Sequence, residues 1–236
     1  MAWSLIASAE NDADAAGTTL DTLSSLNVAA GDLLVAWCKY EGANGTFAVA
    51  KDSGSPANTF TFDAGDEVNN GNGDLNASFG YVLSAAADAT ATFRFTTESR
   101  SFRGVIIYQF RPDAGETVTK DASNVGSGFG IGTVASGTID TSGTDEVVFG
   151  GYAQYTGQTL SNREINNVAA DGFEDNGSTD HSVWYRILSA TFSGGTAEVT
   201  QDVTQAWICN VIAFKSEAAS GQPPRTMQQS RLRRAA

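Results

Sequence analysis

The stretch "DAGDEVNNGNGDLNA", from Asp63 to Ala77, sets Asp63, Asp66, Glu67, Asn69, Asn70, Asn72 and Asp74 among glycines. Calcium takes about six to eight hard oxygen ligands. Asp63, Asp66 and Asp74 are therefore candidate Ca2+ ligands, and Ca2+ is the one cofactor this sequence suggests. A later loop, "ADGFEDNGSTDH", offers Asp171, Glu174, Asp175 and Asp180. Neither loop has EF-hand spacing. Asx and Gly also fill solvated turn-rich loops, because they cap and accept positive φ, and that is the expectation for both.

Other groups that could do chemistry are sparse. His181 is the single histidine, placed between Asp180 and Ser182. No GxSxG elbow accompanies it, so it reads as a loop residue entering a strand. "GSGFGIG", Gly126 to Gly132, superficially resembles a phosphate cradle but lacks the closing Lys-Ser/Thr and a following helix. It is expected to be a flexible loop or an edge strand. A glycosidase would need paired acids on a sheet face; Glu146 and Glu198 are the main strand-borne acids, and both look like polar-face residues. The chain is expected not to be an enzyme. Tyr152, Tyr155 and Tyr185 could together form a sugar-stacking platform, the alternative being ordinary sandwich packing. Trp37 and Trp207 fall in apolar runs and are assigned to the core. Cys38 and Cys209 also sit in strand-like runs, either as buried small hydrophobes or as a disulfide joining early and late strands; no CxxC accompanies them.

These residues must be carried by strands. The composition is rich in Gly, Thr, Ser, Val and Phe, with dense turn punctuation at Asn44, Asn70, Asn176 and Ser193. "TATFRFTT" alternates Ala91, Phe93, Phe95 and Thr97 with Thr90, Thr92, Arg94 and Thr96, giving one apolar and one polar face. "GTAEVTQDV" does so more weakly. "LLVAW" and "VIIYQF" are apolar on both faces and must be central. "AWSLIAS" at the N-terminus reads as a first strand and not as a signal peptide. No run approaches the length of a spanning helix.

One pattern is written twice. "GDLLVAWCKYEG" (31–42) matches "TDEVVFGGYAQYTG" (144–157), aligning Asp32 with Asp145. "SFGYVLSAAADATATFRF" (78–95) matches "SVWYRILSATFSGGTAEVT" (182–200), and the units close on "RGVIIYQF" and "ICNVIAF". The expected fold is an all-β, two-sheet, jelly-roll-like β-sandwich over residues 1–217, with pseudo-repeats at about 1–112 and 113–217. Either each half is a small sandwich or the halves interleave. Interleaving is favoured, since about four strands per unit are too few to protect both faces.

The succession "VAAGDLLVAW", "FGYVLSAAADATATFRFTTESRSFRGVIIYQFRPD", "TDEVVFGGYA" and "VWYRILSATFSGGTAEVTQDVTQAWICNVIAFK" resembles a β-sandwich module of tailed-phage virion proteins. The resemblance implies a structural or decoration role on a capsid, neck or tail, a virion location, and partners that are other virion proteins and copies of itself. It assigns no catalytic residues.

The remainder, 218–236, is expected to be an extended arm. "KSEAASGQPP" is linker-like, and "RTMQQSRLRRAA" holds Arg225, Arg231, Arg233 and Arg234 as ionic anchors with Met227 and Leu232 as apolar pegs. The tail carries four of the 14 Lys and Arg, whereas all 27 Asp and Glu lie between Glu10 and Glu217. Such an acidic body opposes nucleic-acid binding, and no membrane partner is expected. A basic arm suits an acidic protein surface. The alternative function is a carbohydrate-binding host-adhesion module.

Overall fold

The computed structural model describes residues 3–52, 58–70, 75–155, 157, 159–175 and 180–218. Its first half holds β1 (Trp3–Ala13), β2 (Gly17–Asp21), β3 (Leu26–Val28), β4 (Leu33–Glu41), β5 (Ala48–Lys51), β6 (Thr61–Phe62), β7 (Val68–Asn69), β8 (Leu75–Val82), β9 (Asp88–Ala91) and β10 (Phe93–Pro112). The second holds β11 (Glu116–Ala135), β12 (Glu146–Gln154), β13 (Leu160–Ile165), β14 (Val168–Ala169), β15 (Gly172–Asp175), β16 (His181–Leu188) and β17 (Ala197–Ala218). The described chain is all-β, as expected.

Period-two alternation explains how one strand feeds two cores. On β4, Leu33, Val35 and Trp37 point into a core shared with the second half, while Leu34, Ala36, Cys38 and Tyr40 point into a core of the first half alone. On β17, Ile208, Ile212 and Phe214 enter the shared core and Cys209, Val211 and Ala213 enter a core of the second half. The order β1-β10-β4-β8-β6 thus faces the order β14-β13-β17-β12-β16-β15, and β11 pairs with β17.

Each half is built around one long bent strand. The start of β10 pairs with β2 and β5, and its end pairs with β1 and β4. The bend falls where the register shifts between Ser101 and Gly104, with Phe102 at φ 47°. β17 repeats the device, with the shift opposite Gly130 and Gly132. The alternating faces follow the expected pattern: Phe93, Phe95, Ala197, Val199 and Gln201 are all buried.

The halves do not interleave. Every strand ladder among the described residues joins strands of one half. Counting about four strands per unit missed that β10 and β17 each serve in two layers, which lets a half cover its own outer face. The repeat register also moves by one residue. Leu33 pairs with Phe110 and Val147 with Phe214. Asp32 therefore corresponds to Glu146, not Asp145, and its partner Arg111 to Lys215.

Candidate functional site

The shared core is ringed by polar side chains that cross from one half to the other. Lys39 continues the row Leu33, Val35, Trp37 and is 1% exposed. Its Nζ donates to Asp180 Oδ2 at 2.6 Å and to the Gln154 carbonyl at 3.3 Å, and lies 3.6 Å from Glu41. His181 Nδ1 is 2.8 Å from Asp180 Oδ1. The ring is fully buried against Gly104, and a Cβ there would strike it. Burial opposes ionisation of Asp180, but the His181 hydrogen bond and the Lys39 charge outweigh it and hold the carboxyl well below the usual carboxylate range. Burial pushes the His181 imidazole below its ordinary pKa, against the pull of Asp180.

This Lys–Asp–His cluster is sealed. With Asp180 ionised, Nδ1 of a neutral His181 carries the proton, and Nε2 has no hydrogen-bond partner among the described residues. Ser182 is not activated by it: its hydroxyl accepts from Arg163 Nε at 3.0 Å and donates to the Glu174 carbonyl at 3.3 Å. The cluster can clamp two halves together; it presents no group to a solute. His181 does enter a strand, as first residue of β16, but it is a core histidine and not a loop residue.

A second clamp occupies the loop that holds the candidate calcium ligands. Lys120 Nζ of β11 lies 2.5 Å from Asp63 Oδ2 and 2.7 Å from Asp66 Oδ2. Ser123 donates to Asp66 Oδ1 at 2.8 Å, Tyr81 to Asp63 at 3.0 Å, and Asn210 to the Asp66 carbonyl at 3.1 Å. An ammonium thus stands among the candidate calcium ligands, and the loop is an ion-paired clamp and not the solvated turn expected. Desolvation raises the Asp63 pKa, but the bonds from Lys120 and Tyr81 prevail and lower it. Asp74 lies outside the described residues. No group of three or more His, Cys, Asp and Glu among the described residues is arranged to hold a metal.

The second acidic loop is likewise engaged. Asp171 accepts the Ile187 amide at 2.7 Å, Glu174 accepts the Ser8 hydroxyl at 2.7 Å, and Asp175 pairs with Arg163. Glu146 is buried at one end of β17's neighbourhood, opposite Lys215, while Glu198 lies near the other end and accepts the Thr196 hydroxyl at 2.6 Å. They form no carboxylate pair. Burial, offset in part by the Gly143 amide and reinforced by Asp121, lifts Glu146 to about 7.

The tyrosine platform does not exist. Tyr152 is fully buried in the second half's own core, Tyr185 is buried in the shared core, and Tyr155 packs against the shared core from its margin. Tyr152 and Tyr185 sit on opposite faces of one sheet, because their strands pair in a register that sets Phe149 against Tyr185. Trp37 is in the core as expected; Trp207 is only partly buried. Cys38 and Cys209 are free and lie in different cores, so no disulfide joins them. Burial pushes both thiols up, which keeps them protonated. "GSGFGIG" is an edge strand, part of β11.

The residues missed from the sequence are Lys39 and Lys120. Lys39 carried a readable signal, since its parity matches Leu33, Val35 and Trp37. Lys120 carried none, because its partners are 54 and 57 residues away.

No family model matches the chain, and no curated protein matches it. Among solved structures, the PBSX exported protein XepA is similar at 9% identity over 90% of this chain and 86% of that one, with a TM-score of 0.23. A structure of oxalate decarboxylase is similar at 5% identity over 84% of this chain and 69% of that one, with a TM-score of 0.19. The resemblance to the phage module therefore rests on the sequence succession alone.

Proposed function

We propose that this chain is a non-catalytic structural subunit of a phage particle, used in repeated copies on a capsid, neck or tail and attached through its C-terminal arm. The observation that supports this best is where the chemistry-bearing side chains are spent. Lys39, Asp180 and His181 on one side of the shared core, and Asp63, Asp66 and Lys120 on another, tie the halves into one body. A rigid double unit suits a building piece.

The anchors Arg225, Arg231, Arg233 and Arg234 and the pegs Met227 and Leu232 lie outside the described residues. Their role follows from the charge partition: a four-arginine tail on a chain of net charge −13. Four exposed ion pairs supply only about 1–3 kcal/mol in sum, so attachment draws on many copies acting together. The glycan-binding alternative has lost its tyrosine platform.

Deleting residues 221–236 is the test. The truncated protein should fold and melt like the full chain but incorporate less into particles, increasingly so at high salt. Equal incorporation at every ionic strength would overturn the arm, and absence of the full chain from particles would overturn the reading itself.

A further inference from the structure

Four groups from the two halves converge beside the shared core. Lys39 and Glu41 lie two residues apart on β4 and so share a face. Asp180 and His181 come from the second half, where β16 begins. Lys39 is 1% and Asp180 6% exposed. Lys39 Nζ is 2.6 Å from Asp180 Oδ2 and 3.6 Å from Glu41 Oε1, and His181 Nδ1 is 2.8 Å from the other Asp180 oxygen, Oδ1. A primary amine, a carboxyl group, a second carboxylate beside the amine and an N–H on the remaining oxygen are the parts that an amide condensation needs.

The Lys120 clamp lacks this setting. It too bridges carboxylates, but the Lys120 side chain is 21% and that of Asp63 35% exposed, so water competes for both. Burial changes the balance at Lys39. A charged pair held out of water carries a desolvation cost that a neutral amide does not. Fixing amine and carboxyl against each other also removes the entropy cost of bringing them together.

We propose that Lys39 and Asp180 condense into an isopeptide bond, a covalent strap that the chain forms between its own halves. One proton passes from Nζ to Oδ2 along their hydrogen bond. The neutral amine then attacks Cγ, and the negative charge that develops on Oδ1 is held by the His181 Nδ1–H. Glu41 takes a second proton from the attacking nitrogen and returns it to Oδ2. The Cγ–Oδ2 bond breaks, Oδ2 leaves as water, and the Nζ–Cγ bond remains. Ammonium and carboxylate thus become amide and water, with no oxidant or co-reactant. The water departs past Glu41, whose side chain is 15% exposed. The ion pair is the resting form, because Asp180 is held ionised. The first proton transfer is therefore uphill, and the bond forms slowly, once per chain, without turnover. This inference goes beyond the assembly reading and stands without it.

Trypsin digestion of the denatured full chain is the test. It should release 1–51, uncut at Lys39, joined to 164–186, which holds Asp180, the pair being lighter by one water than the two peptides together. Lys39→Arg keeps the cation but removes the condensing amine, and should release 164–186 free. Glu41→Gln should slow joining by roughly a hundredfold, seen as an unjoined fraction that declines with time. The wild-type digest carries the test if either variant misfolds. Free 1–39 and free 164–186 as the only products of the folded full chain, fresh and after prolonged incubation, would overturn the inference. A water loss confined to one peptide would overturn it as well. A joined chain that is absent from particles refutes only the virion role.

Discussion

The Trp37 indole fills the space that a side chain at residue 151 would need. A Cβ on Gly151 would come within 2.7 Å of the Trp37 ring and 2.8 Å of Phe79 Cζ. Trp37 and Gly151 are equivalent positions of the two repeats, since Trp37 pairs with Ile106 and Gly151 with Asn210, each four residues before the closing Phe110 and Phe214. One half supplies the bulk and the other the vacancy, and Trp37 Nε1 donates to the Tyr152 carbonyl at 3.1 Å across the seam.

Gly151→Ala should therefore cost about 1–3 kcal/mol through overpacking, and Trp37→Ala about 3–5 kcal/mol through the cavity it leaves. Urea unfolding of the two single variants checks both values. A Gly151→Ala variant as stable as wild type would show that the seam is looser than described.

Lys39→Met should destabilise by about 3–5 kcal/mol, because it leaves the Asp180 carboxylate buried without its cation. Adding Asp180→Asn should recover part of the loss. A double variant less stable than Lys39→Met would contradict the clamp.

His181 and Glu146 give stability opposite dependences on pH. The folded His181 pKa is depressed, so the unfolded chain binds the extra proton, and stability falls as pH drops below about 6.5. The Glu146 pKa is raised to about 7 from 4.5, so the folded chain binds the extra proton, and its contribution is lost as pH rises between those values. Relative to wild type, Glu146→Gln should gain stability from pH 4.5 to pH 7, whereas His181→Gln should remove the acid-side loss near pH 6. Chemical denaturation midpoints across this range, giving parallel curves for all three proteins, would refute both assignments.

Calcium should leave the wild-type melting temperature unchanged, since the Lys120 ammonium already occupies the space between the Asp63 and Asp66 carboxylates. Lys120→Ala should lower stability by roughly 1–2 kcal/mol, between the values for exposed and buried pairs because Asp63 is about a third exposed. Scanning calorimetry with and without Ca2+ measures both effects; a wild-type shift on adding Ca2+ would restore the metal reading.

The sequence by itself determined the all-β class and the facing of its most regular strands. Period-two alternation at Ala91–Thr97 and double-sided apolar runs at Leu33–Trp37 are local properties, fixed by the geometry of extended chain. Only the tertiary structure decided how those strands are shared out. Whether β10 and β17 bend, and so let each half close its own outer core, depends on register shifts at Ser101–Gly104 and opposite Gly130–Gly132, which no local pattern encodes. The same holds for chemistry. Acidic loops that suited calcium, a lone histidine and three tyrosines could each have faced solvent. Partners far along the chain (Lys120 for Asp63 and Asp66, Lys39 for Asp180) and the face on which each tyrosine falls settled their roles, because burial and ion pairing are set by what another part of the chain brings alongside.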